Sequence, residues 1–138
     1  MFEKSLKDFL AGDPNITGLI SSFEGAPAIF TSAAPQKAVL PYIVFDINKF
    51  APENLAASAF SVALDLYAYN ESAKDLRQLA TYIEYRCDRK ILPETDPRFG
   101  HIRLFYEDGR EVENSDVKIK HYVVTLSARA GRKQWAAL

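Results

Sequence analysis

From Phe60 to Tyr69 the chain alternates without a break. Phe60, Val62, Leu64, Leu66 and Ala68 are apolar, and Ser61, Ala63, Asp65, Tyr67 and Tyr69 between them are small, polar or aromatic. Successive side chains of a strand point to opposite faces, so this stretch is a strand with an aliphatic face for a core and a second face for water or a partner. A charge such as Asp65 in mid-strand has to face solvent, a lumen or a partner. The plainest reading of it is a solvated sheet face.

The neighbouring segments supply partners for that strand. Leu40-Pro41 ends a loop, and Tyr42-Ile43-Val44-Phe45 after it are the aromatic and β-branched residues that suit a buried pleat. A strand over 42–49 follows, then the turn-forming Ala51-Pro52-Glu53-Asn54. Ser72-Ala73-Lys74-Asp75 has the form of a capping box and predicts the start of a helix running to about Lys90. Ala73, Leu76, Ala80, Ile83 and Cys87 line one side of it, with Leu79 adjacent. Upstream, Phe2, Leu6, Phe9 and Leu10 share one face of a short helix that Gly12 can end, and Asp13-Pro14 is an N-cap followed by proline at the first helical position. Residues 25–40 read as loop around one apolar island, Ala28-Ile29-Phe30-Thr31, a short edge strand.

Past Pro93 and Pro97, His101 to Glu107 reads as a strand, Asp108-Gly109 as a two-residue hairpin turn, and Asn114-Ser115-Asp116 as a second turn. In the last strand, from Val117 to about Ala128, the apolar set moves from odd positions (Val117, Ile119) to even ones (Tyr122, Val124, Leu126). Such a shift predicts a β-bulge near Lys120-His121. The expected fold is α+β: a single, mostly antiparallel sheet of about four strands, with the main helix packed on one face and a short N-terminal helical segment. Residues 1–128 form one domain in this reading, and residues 129–138 a basic tail.

Charge and chemistry narrow the function. The 138 residues carry a formal net charge of -1, which gives no overall attraction to nucleic acid or an anionic membrane. A single cysteine, Cys87, excludes an internal disulfide, and a cytoplasmic folding compartment is expected. The start of the chain is too charged for a signal peptide, and no apolar run approaches the ~20 residues of a membrane helix. His101 and His121 have no Cys, His or carboxylate beside them at metal-ligand spacing. Cys87 on an apolar helix face is a small hydrophobe. The carboxylates Glu107, Asp108, Glu111, Glu113 and Asp116 are what solvated turns carry. Phosphate-binding loops, nucleophile elbows and zinc-protease motifs are absent from the sequence. Neither an enzyme nor a bound cofactor or metal is expected. Arg129, Arg132 and Lys133 beside Trp135 offer weak nucleic-acid contact or a docking segment for a neighbouring subunit.

Taken in order, Asp13-Pro14, Ala34-Pro35, Leu40-Pro41-Tyr42-Ile43-Val44-Phe45, the strand over 60–69, the helix over 72–88 and Tyr122-Val123-Val124-Thr125-Leu126 resemble the tail-completion and tail-terminator proteins of long-tailed phages and prophages. The resemblance spans about residues 3 to 128. It implies a structural protein that assembles as a homo-oligomeric ring, a hexamer, on the last ring of the tail-tube protein, stops tube growth and joins the tube to the head connector protein. It implies assembly in the host cytoplasm, a final place in the virion tail or neck, no membrane, and DNA only as cargo passing through the ring. No catalytic set comes with it. The interface candidates are Pro35, Phe50, Pro52, Leu55, Asp65, Arg132 and Trp135, with Phe50 and Leu55 equally readable as satellite core under a loop. The alternatives are a head-to-tail joining or minor tail component, a small α+β ligand-binding domain or enzyme using Asp65, His101 or His121, and a nucleic-acid module acting through the tail.

Overall fold

The computed structural model describes residues 2–49, 57–92 and 99–132. Its elements are α1 (Phe2–Ala11), α2 (Pro14–Thr17), β1 (Ser22–Phe23), β2 (Ala26–Pro27), β3 (Ile29–Thr31), β4 (Tyr42–Lys49), β5 (Ala57–Tyr69), α3 (Ala73–Cys87), β6 (Ile91–Leu92), β7 (Phe99–Val112) and β8 (Ile119–Arg132). A 3-10 turn, Asn70–Ser72, leads into α3. Six strands form a curled sheet in the order β3-β4-β5-β8-β7-β6, and β1 and β2 form a separate two-stranded hairpin. The expectation of a single sheet of about four strands is therefore corrected. The edge strand expected over 28–31 is present as β3, though it lies parallel to β4 rather than antiparallel, and β6 is too short to leave a periodic signal.

The aliphatic face predicted for β5 is the centre of the core. Phe60, Val62, Leu64, Leu66 and Ala68 are all buried, and their partners on β4 and β8 bury Ile43, Phe45, Val124, Leu126, Ala128 and Ala130 on the same side. Against this face α3 packs Leu76, Leu79, Ala80, Ile83 and Cys87, and α1 adds Phe2, Leu6 and Leu10. Each of the larger of these side chains contributes about 1.5–3 kcal/mol by leaving water. The first turn of α2 is capped as its sequence requires, the Asp13 carboxylate accepting from the Asn15 amide at 2.9 Å with Pro14 in the first turn.

Several local expectations are corrected. Asp108-Gly109 is not a hairpin turn; β7 runs straight through it to Val112. A side chain at Gly109 would crowd two tyrosines, because a Cβ at this position would lie 2.7 Å from the Tyr106 hydroxyl and 3.1 Å from that of Tyr122. Two tyrosines use the space that a side chain would fill. The bulge falls on β7 between Tyr106 and Asp108, not near Lys120-His121, and β8 pairs in continuous register from Ile119 to Gly131. Val117, which suggested the slip, lies in the turn before β8 and is exposed. Ser72 precedes α3 but makes no side-chain capping bond, and the helix ends at Cys87 rather than about Lys90. Arg89 there takes a left-handed φ of 61° and sends the chain back along β7, its amide donating to the Leu104 carbonyl at 2.8 Å. The last strand, expected to end near Ala128, continues to Arg132.

Candidate assembly surface

The helices cover one face of the sheet and leave the other half-exposed. On that outer face the register lines up Tyr42 on β4, Tyr67 on β5 and His121 on β8 across the strands. Their rings make one row. Phe23 meets Phe30 edge-on at 5.5 Å between centroids, Phe30 meets Tyr42 at 5.9 Å, Tyr42 meets Tyr67 at 5.5 Å, and Tyr67 stacks on the imidazole of His121 at 4.4 Å and 14°. Cross-strand aromatic pairs of this kind add about 0.5–1.5 kcal/mol each beyond the area they bury. The row runs perpendicular to the strands from the β1–β2 hairpin to β8. That hairpin turns through Glu24 and Gly25, both at positive φ, which matches its two-residue link to the twist of its strands.

Asp65 stands one register step from this row and is tied to it. Its carboxylate lies 2.6 Å from His121 Nε2, with the two side chains 23% and 15% exposed. The contact links β5 to β8 on a surface where most neighbours are apolar or aromatic, Val44 and Val123 flanking Asp65 in register. Burial, then the Asp65 carboxylate and then Tyr42 push the Tyr67 hydroxyl above its ordinary value of 10.0, so Tyr67 is neutral across the physiological range. A histidine–carboxylate pair can pass a proton, but its register neighbours Val44, Val112, Val123 and Tyr67 include no aliphatic hydroxyl or thiol nucleophile. The thiol of Cys87 is buried under α3 and pushed up to about 12 by desolvation, the opposite of nucleophilic activation.

The residues named from sequence are distributed as follows. Asp65 and His121 come together, and His101 does not join them: it lies opposite Gly131 on β7, whereas His121 is ten residues away along β8. Pro35 is exposed in the loop between β3 and β4. Arg132 closes β8. Phe50, Pro52, Leu55 and Trp135 lie outside the described residues. What sequence reasoning missed was the row itself. Tyr67 was visible in the polar-aromatic register of β5, but only strand pairing could show that Phe30, Tyr42 and His121 stand beside it.

Two shallow concave places occur elsewhere. One, at the α1–α3 junction, is bordered by Phe9, Tyr82, Tyr85, Arg86 and Lys90, and the Arg86 guanidinium sits 4.0 Å over the Phe9 ring and donates to the Phe9 carbonyl at 3.0 Å. The other, beside the β7 bulge, is bordered by Arg89, Phe105, Glu107, Ser127 and Arg129, with Ser127 Oγ donating to Glu107 at 2.6 Å. Among the described residues no group of three metal-ligating side chains is assembled, and no helix is long and apolar enough to cross a membrane.

No protein-family model matches the chain, and no curated protein matches it. Solved structures do share its fold. A chain from the virion of a native gene transfer agent particle superposes with a TM-score of 0.73 at 11% identity, covering 94% of this chain and 93% of that one. A second solved structure superposes with a TM-score of 0.65 at 10% identity, covering 96% of this chain and 92% of that one. The chain therefore has, over nearly its whole length, the fold of a protein found in a gene transfer agent virion.

Proposed function

We propose that this chain is a structural component of a phage-like particle that assembles as a ring at the head-proximal end of the tail tube. In that position it stops tube growth and joins the tube to the head connector. The observation that carries the reading is the fold shared over 94% of this chain with a chain of the gene transfer agent virion. The motif order that resembles tail-completion proteins supports the finer assignment to a tail terminator. The outer face fits such a role, because a half-exposed aromatic row locked by Asp65 and His121 is a rigid surface for a protein partner. A structural rather than catalytic role also agrees with a histidine–carboxylate pair whose register neighbours supply no nucleophile.

Native mass measurement over a range of concentrations, followed by electron microscopy with purified tail tubes, tests this reading. Closed rings that cap one end of the tubes are the expected result. A protein that stays monomeric at every concentration and ignores tubes would overturn it. Rings that bind only the connector would move the chain to the alternative place in the particle, a head-to-tail joining component.

A further inference from the structure

The two edges of the six-stranded sheet are stepped in opposite senses. At one edge β3 covers only Ile43, Val44 and Phe45 of β4, and among the described residues no strand pairs with 46–49 on that side. At the other edge β6 covers Ile102 and Arg103 of β7. The chain before β6 extends that cover as far as Tyr106, through the Leu104 amide to the Lys90 carbonyl and the Tyr106 amide to the Asp88 carboxylate. From Glu107 to Val112, β7 has a described partner only on the β8 side. Three antiparallel pairings separate β4 from β7, so the two strands run in opposite directions. Their uncovered halves consequently lie at opposite ends of the sheet. One edge projects, through β3, at the level where the other is recessed.

Following the register across the sheet puts residues on a level. Phe30 aligns through Val44, Asp65 and Val123 with Arg110, and Thr31 aligns through Phe45, Leu64 and Val124 with Gly109. A second copy placed alongside at the same height would therefore set its β3 into the recess beside 107–112. β3 runs parallel to β4 and hence antiparallel to β7, the better-bonded pairing. The Ala28 carbonyl and Ser32 amide are bonded to β4, so the backbone groups of Ile29 and the Thr31 amide between them turn to the open side, while the Thr31 carbonyl accepts from the Ala33 amide at 2.8 Å. At the joint Arg110 of one copy would meet the Phe30 ring of the next on the outer face, carrying the aromatic row across the boundary with a cation–π contact. The open part of β7 spans six residues, about 20 Å, a length of edge that folded proteins normally cover or guard. Glu107, Asp108, Arg110 and Glu111 are exposed there and guard it against indiscriminate pairing, while no described strand pairs with its backbone on that side.

We propose that copies of this chain join head to tail through these stepped edges, β3 of one copy adding as an antiparallel strand to residues 107–112 of the next. The joint uses two different patches of each copy, so it is heterologous, and the curl of the sheet supplies the rotation that a closed ring needs. The inference rests on the ring reading above and says which surface makes the ring.

Paired cysteines test it. Ser32 follows Thr31 just past the end of β3, at a left-handed φ of 69°, and continuing the alignment by one residue would bring it to Asp108; both are exposed, while the native Cys87 is buried. A chain carrying both Ser32→Cys and Asp108→Cys should give, on mild oxidation, a ladder of covalent multimers on a non-reducing gel. Each single variant should give none, and a mixture of the two singles only dimers. Phe30→Cys with Arg110→Cys is the second pair, two levels away and inside the aligned strands, should the first perturb folding. If the doubly substituted chains assemble by native mass but neither pair forms a ladder, the edge joint is wrong and the ring stands. Dimers from a single variant would show a two-fold joint and overturn the proposal. A wild-type chain that is monomeric throughout would overturn the ring and the joint together.

Discussion

Leu64 and Asp65 are neighbours on β5, and they belong to opposite sides of the molecule. Leu64 is fully buried between the sheet and the helices, whereas Asp65 sits on the half-exposed face, bonded to His121. The inner face is built of interchangeable aliphatic groups whose task is to exclude water. The outer face is built of particular groups in particular places: a stacked row of rings, a charged pair, and strand edges with open backbone. The difference teaches that one strand can serve stability on one side and recognition on the other, because its side chains alternate. Changes on the inner face should therefore be read in stability, and changes on the outer face in assembly.

The sharpest way to break this comparison is Ile43→Asp. Ile43 is fully buried, and a carboxylate there without a partner costs several kcal/mol, enough to remove the folded state of a domain this size. The expected outcome is insoluble or unfolded protein. A soluble, folded Ile43→Asp that merely fails to assemble would show that the inner face of β4 is an interface and not core.

Next in size is Leu64→Ala, expected to lower unfolding free energy by about 2–5 kcal/mol in urea titration, since it opens a cavity at the middle of the sheet. Gly109→Val should follow, at about 1–3 kcal/mol, because the new side chain meets two tyrosine hydroxyls on the inner side of β7. If Gly109→Val is neutral, Tyr106 and Tyr122 are free to swing away and the explanation for that glycine fails. Tyr67→Leu on the outer face should cost only about 0.5–1.5 kcal/mol and yet shift the assembly equilibrium measured by native mass. Equal losses of stability from Leu64→Ala and Tyr67→Leu would erase the distinction between the faces.

The last test is a pH dependence. Cys87 is raised from 9.0 to about 12 in the fold, so the folded state holds its proton where the unfolded state has released it. Its contribution is complete below about pH 9 and is lost as pH rises towards 12. Tyr67 is raised from 10.0 by burial first, and acts in the same direction above pH 10. Denaturant midpoints at pH 8 and pH 10.5 should show wild type losing more stability than Cys87→Ala across that interval. An equal loss in both would remove the thiol as a cause.

How much of this could be read from the chain is clearest on β5 and β7. On β5 the alternation is complete, and both faces were assigned before any partner strand was known. On β7 the same kind of reasoning failed at Asp108-Gly109, because the dipeptide most typical of a hairpin turn is used in mid-strand to seat Tyr106 and Tyr122. The bulge at Glu107 is invisible locally for a related reason: it is a relation between β7 and β8, not a property of either. Asp65 stands out from its mid-strand position alone, and nothing beside His121 in the sequence points to a partner, yet the two share a contact 56 residues apart in the chain.

What the sequence determined by itself is therefore what short-range physics controls: the two-residue period of β5, the apolar stripe of α3, the cap at Asp13, and the absence of the usual catalytic signatures. These are written in residue spacing and need no distant partner. The tertiary structure alone decided the strand order, the aromatic row, the Asp65–His121 pair and the stepped edges of the sheet. Each of those depends on which strands pair and in what register, a choice set by burying all the aliphatic faces at once, and no single segment carries that information.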